Sequence, residues 1–343
     1  MMKIDAGIMI NNPLEAGPAF KLVEDAGYDG AYTFEGAHDP FLPLVSAASE
    51  TNKIELITSI AVAFARNPMT LANIGYDLNL VSEGRFILGL GSQIKPHITK
   101  RFSMPWSQPA SRMKDMVQAI KAIWDCWQNG TRLNYRGEFY THTLMTPFFN
   151  PGPNPHGLPK IYVAAVGPLM TKAVAESADG LLGHPFSSPT YYDQVTVPII
   201  EKGLETVGKT RDQFDLSISV MTGIGATEES HKKAVQACRE QVAFYASTPN
   251  YVAVLETHGY GDLSKELNQL SKKGKWQEMG EAIDDEVLKT FAVVEETPEA
   301  LAQEIKKRYG SIGQRIAPVL YTGELDLAAD VLKALKAEYL EVI

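Results

Sequence analysis

The chain has 343 residues, 45% of them hydrophobic and 21% charged, with a formal net charge of −9. That composition is globular and long enough for a large core. An acidic chain without a stripe of Lys or Arg excludes nucleic acid as the main partner, and no apolar run nears the roughly 18 residues of a membrane span.

Met1-Met2-Lys3-Ile4-Asp5 opens the chain without an apolar signal region, so a cytoplasmic location is expected. From there, short apolar or β-branched runs alternate with longer stretches of helical period, as in parallel βαβ units. Ile4 to Ile10 predicts a strand, and Pro13 to Asp25 a helix ended by Gly27. Asp29 to Phe34 predicts the second strand, with a helix through Ala47 and Ala48. Ile54 to Phe64 is a nearly unbroken apolar run, the pattern of a strand covered on both faces. Pro68 to Val81 is its helix, begun by a proline whose missing N–H costs nothing in the first turn. Arg85 to Leu90 is the fourth strand, and a long helix follows over Ser111 to Gln128. The second half supplies strands at Lys160 to Val166, Gly180 to Gly183, Leu216 to Thr222 and Arg315 to Tyr321. Their helices are Pro168 to Ala178, Thr190 to Val207, Glu228 to Ala246 and Leu327 to Tyr339. Eight such units without a Pro/Gly/Ser-rich linker predict one closed α/β domain, a (β/α)8 TIM barrel spanning residues 1–343.

Two stretches exceed a minimal barrel, so insertions are expected after strands four and seven. Arg132 to Pro147 has the pattern of a hairpin, and about Asn250 to Glu296 carries extra helical pattern with a short run at Phe291 to Val294. Loops on the C-terminal face of a barrel carry function, so these segments are either lids or padding and oligomer contacts. Cys126 and Cys238 stand far apart in amphipathic stretches and read as buried free thiols. No His-Glu-x-x-His or paired-Cys spacing occurs, so no metal is expected. Gly89-x-Gly91 lacks the third glycine of a dinucleotide fingerprint, because position 94 is Ile.

Three segments carry a family resemblance by their order and spacing. They are Ala26-Gly27-Tyr28-Asp29-Gly30-Ala31-Tyr32-Thr33-Phe34-Glu35 with Gly36 to Phe41 after it, Ile54 to Pro68 with its Ala63-Phe64-Ala65-Arg66-Asn67-Pro68 end, and Asp77 to Phe86 leading into Leu88-Gly89-Leu90-Gly91. Together with Ala175-Glu176-Ser177-Ala178-Asp179-Gly180, they resemble the luciferase-like superfamily of flavin monooxygenases and coenzyme F420-dependent oxidoreductases. His38 to Pro43, Ala61 to Arg66, Gly91 to His97 and Leu144 to Phe149 are similar to the F420-dependent branch in particular. The resemblance implies a luciferase-like barrel, a homodimer, and F420 as cofactor with FMN as the alternative. It also implies a non-prolyl cis peptide behind the cofactor ring, which the shared pattern places at Ser59-Ile60.

A flat ring at the barrel mouth needs rigid strand ends, and its polar tail needs anion contacts. Val166-Gly167-Pro168 joins a strand to a helix start, where free N–H groups and the helix dipole favour phosphate. By itself the segment fits an ordinary βα turn equally well; the resemblance favours the phosphate site. Glu35 and His38 follow strand two, Gly91, Gln93 and His97 follow strand four, and His184 ends strand six, so all would face one mouth, with Gly91, Gln93 and His184 as expected cofactor contacts. His38 is the expected proton donor or acceptor, with Glu35 positioning the ring or the proton relay. Many F420 enzymes resemble Asp-His where Glu35 and Gly36 stand here, so His38 would replace a histidine two residues earlier. The other reading of His38 is a cap or packing residue of the following helix. Trp106, in the loop after strand four, is expected to cover the ring, and His97 to line the substrate side.

The leading expectation is therefore F420-dependent hydride transfer to or from a small organic substrate. An FMN-dependent monooxygenase and a non-catalytic flavin- or F420-binding protein are the alternatives. A Schiff-base aldolase is disfavoured because Lys95 lies beyond strand four rather than in it.

Overall fold

Eight parallel strands close into a barrel in the computed structural model, which describes residues 2–321 and 323–340. They are β1 (Lys3–Gly7), β2 (Gly30–Thr33), β3 (Glu55–Thr58), β4 (Phe86–Gly91), β5 (Lys160–Ala165), β6 (Gly180–Gly183), β7 (Asp215–Gly223) and β8 (Arg315–Leu320). Each pairs with its neighbours in sequence, and β8 returns to β1 through Lys3 opposite Arg315. Around them run α1 (Ala16–Ala26), α2 (Leu42–Glu50), α3 (Pro68–Val81), α4 (Pro109–Asn129), α5 (Pro168–Ala175), α6 (Val197–Thr206), α7 (Glu228–Ala246), α8 (Pro298–Tyr309) and α9 (Leu325–Leu340). Helix starts follow local chemistry: Asn67 accepts the Thr70 N–H at 2.9 Å ahead of Pro68, and Thr297 accepts that of Ala300 at 3.2 Å ahead of Pro298.

The lumen is filled by Ile57, Ile87, Tyr162 and Leu182, with Tyr32, Ile60 and Ala164 against them. A larger apolar layer lies between strands and helices. At the strand starts, opposite the mouth, a buried ion cluster ties β1, β3 and β8 together. Arg315 donates to both Asp5 oxygens at 2.7 and 2.6 Å and also to Glu55, which Lys3 reaches at 2.6 Å. Gly30 passes so close that a Cβ there would sit 2.4 Å from Asp5 Oδ1.

Three predicted elements differ from those observed. The run Ile4 to Ile10 leaves the sheet after Gly7. The run Ile54 to Phe64 is not one strand. β3 stops at Thr58, the Ser59-Ile60 peptide is cis, Ala61–Val62 pairs with Leu90 and Gly91, and Ala63–Ala65 forms a 3-10 turn. A buried bulge needs apolar residues as much as a buried strand does, so hydropathy does not distinguish them. Thr190 to Val207 contains a π-helical turn at Tyr192–Thr196 ahead of α6.

Both insertions are present. After β4 come a π-helical turn at His97–Arg101, helix α4 and a hairpin pairing Tyr135–Arg136 with Thr141–His142. Buried Asp115 of α4 holds the hairpin tip by accepting from Phe139 N at 2.6 Å, Tyr140 N at 3.0 Å and the Tyr135 hydroxyl. After β7, helices between α7 and α8 build a second core around Cys238, Val242, Leu255, Leu267 and Phe291. Its last segment, Ala292–Val294, pairs with Met221–Gly223 at the top of β7, above the point where shorter β6 has ended. Both cysteines are free and buried. Among the described residues, no helix is long and apolar enough to cross a membrane.

Candidate active site

The floor of the mouth is built by two glycines of β4 and the bulge pressed on them. A Cβ on Gly89 would lie 1.7 Å from the Thr58 carbonyl oxygen, and one on Gly91 would lie 2.8 Å from the Ile60 side chain. Thr58 fastens this contact, its hydroxyl donating to Gly89 O at 2.8 Å and accepting from Gly89 N at 2.9 Å. Gly91, read from the sequence as a cofactor contact, is thus the seat of Ile60. Only a residue without a side chain lets β3 and β4 approach so closely.

Glu35 fixes the bulge from the β2 side. Its N–H donates to Ile60 O at 3.0 Å, and its carboxylate accepts from Val62 N at 2.7 Å and Arg66 at 2.6 Å. With that side chain only 7% exposed and both donors in place, Glu35 is a positioning residue. Arg66 also reaches Asp39 at 3.0 Å, so a single guanidinium gathers both carboxylates of the β2 loop.

His38 rises from that loop and is exposed. The N–H groups at the entry to α2 go to Asp39 rather than to His38, Phe41 N at 2.8 Å and Leu42 N at 3.2 Å. The loop is tied down on either side of the imidazole, by Thr33 Oγ1 donating to Pro40 O at 2.7 Å and by Arg101 donating to Gly36 O at 2.7 Å. A free imidazole on an anchored loop has the makings of a proton-transfer group.

The β4 loop supplies one wall. Gln93 has φ +57° and turns its carboxamide oxygen to Ile94 N at 3.1 Å, while His97 is exposed at the start of the π-helical turn. Half-buried Trp106 meets Phe64 edge-on with centroids 5.8 Å apart. Arg112 lies 4.9 Å over the same Phe64 ring and donates to Pro105 O and the Tyr140 hydroxyl, joining this loop to the hairpin.

Past the end of adjacent β5, Gly167 precedes Pro168 at the start of α5. Its φ of −75° suits any residue, and an added Cβ would meet nothing within 4 Å. Neither backbone nor packing demands glycine here. The first-turn N–H groups of α5 lack helical partners, which makes this end receptive to an anion. Val166 is held in place by the Tyr191 hydroxyl donating to its carbonyl at 3.0 Å.

His184, at the end of β6, anchors the second insertion. Its Nδ1 accepts from Phe186 N at 3.0 Å, which puts the ring proton on Nε2, 3.1 Å from the Tyr251 hydroxyl. Tyr245 packs edge-on at 4.6 Å, and burial pushes the imidazole pKa down from 6.5 to about 4. Ser188 and His258, 2.7 Å apart, make a second tie between the same segments. Because the folded pKa is depressed, the unfolded chain binds the extra proton first. Stability is whole above pH 6.5 and falls toward pH 4, by about 1.4 kcal/mol for each pH unit in that window. A His184→Asn variant should flatten this acid limb in thermal melts taken from pH 7 to 4; an unaltered slope would assign the titration elsewhere.

Arg66, Arg101, Tyr251 and His258 were not expected at the mouth. Arg66 stands within a motif segment and so was open to notice, whereas the other three take part through contacts distant in sequence.

The sequence and the fold have counterparts. A sequence model described as luciferase-like monooxygenase matches residues 9–315. An uncharacterized protein of Mycobacterium tuberculosis is 50% identical over 318 residues, covering 93% of each chain. The 5,10-methylenetetrahydromethanopterin reductase of Archaeoglobus fulgidus is 30% identical over 297 residues, covering 84% of this chain and 83% of its own. Among solved structures, the coenzyme F420-dependent tetrahydromethanopterin reductase of Methanopyrus kandleri superimposes with a TM-score of 0.78 at 20% identity, over 96% and 97% of the two chains. Matched by the family model from residue 9 to residue 315, the chain belongs to the luciferase-like monooxygenase family.

Proposed function

We propose that this chain is an oxidoreductase that transfers a hydride between coenzyme F420 and a small organic substrate. The observation that carries the proposal is Gly167, a glycine that nothing in the polypeptide requires, at a helix start facing open space. Such a cradle suits the phosphate of a tailed cofactor. The bulge at Ser59-Ile60 is the floor for its ring, and the similarity to methylenetetrahydromethanopterin reductases favours the deazaflavin. When bound, that ring supplies the two-electron exchange. The chain supplies the rest: Glu35 and Arg66 hold the floor, Trp106 and Phe64 close one wall against water, and His38 moves a proton at the substrate's heteroatom. Gln93, His97 and His184 frame the opening. The family's description as monooxygenases supports a second reading, in which reduced FMN and oxygen occupy the same site.

Fluorescence titrations of the protein with F420 and with FMN test this. Tight F420 and weak FMN binding is expected. The reverse selects the monooxygenase, and binding of neither removes the redox reading. Gly167→Val should weaken binding of the preferred cofactor about tenfold or more while leaving thermal stability unchanged. Undiminished affinity would put the tail elsewhere.

A further inference from the structure

Between Glu83 and Asp115 the chain carries six cations, Arg85, Lys95, Lys100, Arg101, Arg112 and Lys114, and no acid, although its net charge is −9. Three of the six have internal tasks. Arg85 donates to Thr51 and to the carbonyl of Ile54, Arg112 joins the wall to the hairpin, and Lys114 pairs with Glu176 at 2.6 Å. Lys95, Lys100 and Arg101 remain, all exposed on the β4 loop and its π-helical turn.

Arg101 is not a wandering surface side chain. It donates to the carbonyl of Gly36, two residues before His38, and its guanidinium carbon lies 4.8 Å from the Phe102 ring centroid. The remaining N–H groups of a guanidinium so fixed form a preorganised fork for a carboxylate or phosphate. The acids nearest in the β2 loop do not neutralise it, because Glu35 and Asp39 are both held by Arg66. The loop is also conformationally costly. Of the four non-glycine residues with positive φ among the described residues, Gln93, Ser103 and Gln108 lie within it. Backbone held in such sparsely populated regions gathers at ligand clamps and active sites.

We propose that the substrate bears an anionic group, a carboxylate or phosphate, which docks on Lys95, Lys100 and Arg101 beside His38. The inference rests on the barrel mouth being the reaction site, as proposed above. Electrostatically, a cationic rim on an otherwise acidic molecule steers anions to this opening and away from the rest of the surface. Docking there would place the uncharged part of the substrate toward His38 and the floor.

The test begins with coenzyme-free protein, titrated calorimetrically with inorganic pyrophosphate and with citrate at low salt. Wild type is compared with K95Q/K100Q/R101Q and with K232Q/K233Q/K265Q, which removes three exposed charges from the insertion side. The rim variant should bind both anions about tenfold more weakly, as three solvent-facing ion pairs of ordinary strength imply. The control should match wild type, and added salt should weaken wild-type binding. Equal binding by the rim variant and wild type, or no binding by wild type, overturns the proposal. A second arm titrates complete F420 and the tail-less deazaflavin chromophore into wild type and rim variant. Unchanged affinities support a substrate anion; weaker binding of the complete coenzyme alone assigns the rim to its tail and overturns the substrate class. Should neither chromophore bind wild type, the redox reading fails, while the calorimetric arm still decides the rim.

Discussion

Turnover of a His38→Ala variant falls by about two to three orders of magnitude, while the cofactor dissociation constant moves by less than about threefold. The asymmetry follows from the position of the imidazole. It is exposed, the N–H groups at the entry to α2 go to Asp39 rather than to His38, and the loop is held by Arg101 and Thr33 whether or not the ring is present. The fold should be indifferent to the change, within about 0.5 kcal/mol. Steady-state kinetics beside a cofactor titration separates the two effects. A parallel loss of turnover and affinity would make His38 a binding residue, and no loss in either would remove it from the chemistry.

A Gly89→Ala substitution is expected to abolish the soluble fold, or to cost at least about 4 kcal/mol, at the severe end of single-residue effects. The added methyl would stand 1.7 Å from a backbone carbonyl oxygen, and backbone yields far less readily than a side chain. Thr58 cannot withdraw, since its hydroxyl is bonded to Gly89 from both sides. Circular dichroism and chemical denaturation measure the loss. A variant that stayed stable and unfolded cooperatively would show that β3 and β4 need not meet so closely. Gly167→Val is the counterpart: the same residue type is exchanged, but the cost should appear in cofactor binding rather than in folding.

The barrel was legible because each strand buried on both faces reads as an apolar run and each helix as a 3.6-residue period. The break in the run from Ile54 to Phe64 left no trace in hydropathy, and only motif resemblance pointed to the Ser59-Ile60 peptide. Within the site, His38 was found from residue type and position after a strand. The engagement of Glu35 was hidden, because its partner Arg66 lies 31 residues onward. Gly91 and Gly167 look alike in sequence, yet one is crowded by Ile60 and the other faces empty space. The ties between His184 and Tyr251 and between Ser188 and His258 span 67 and 70 residues, and no local periodicity encodes them.

The buried Asp5–Glu55–Arg315 cluster has a consequence for synthesis. The carboxylates emerge early, while their guanidinium follows 260 residues after Glu55. At the usual 5–20 residues per second, that interval lasts at least about 13 s. During it the nascent half-barrel holds two acids with their main counter-ion still untranslated, and burying them unpaired would be expensive. Burial of Asp5 and Glu55 therefore becomes favourable only with the last strand, so joining β8 to β1 and pairing the deepest charges are one event.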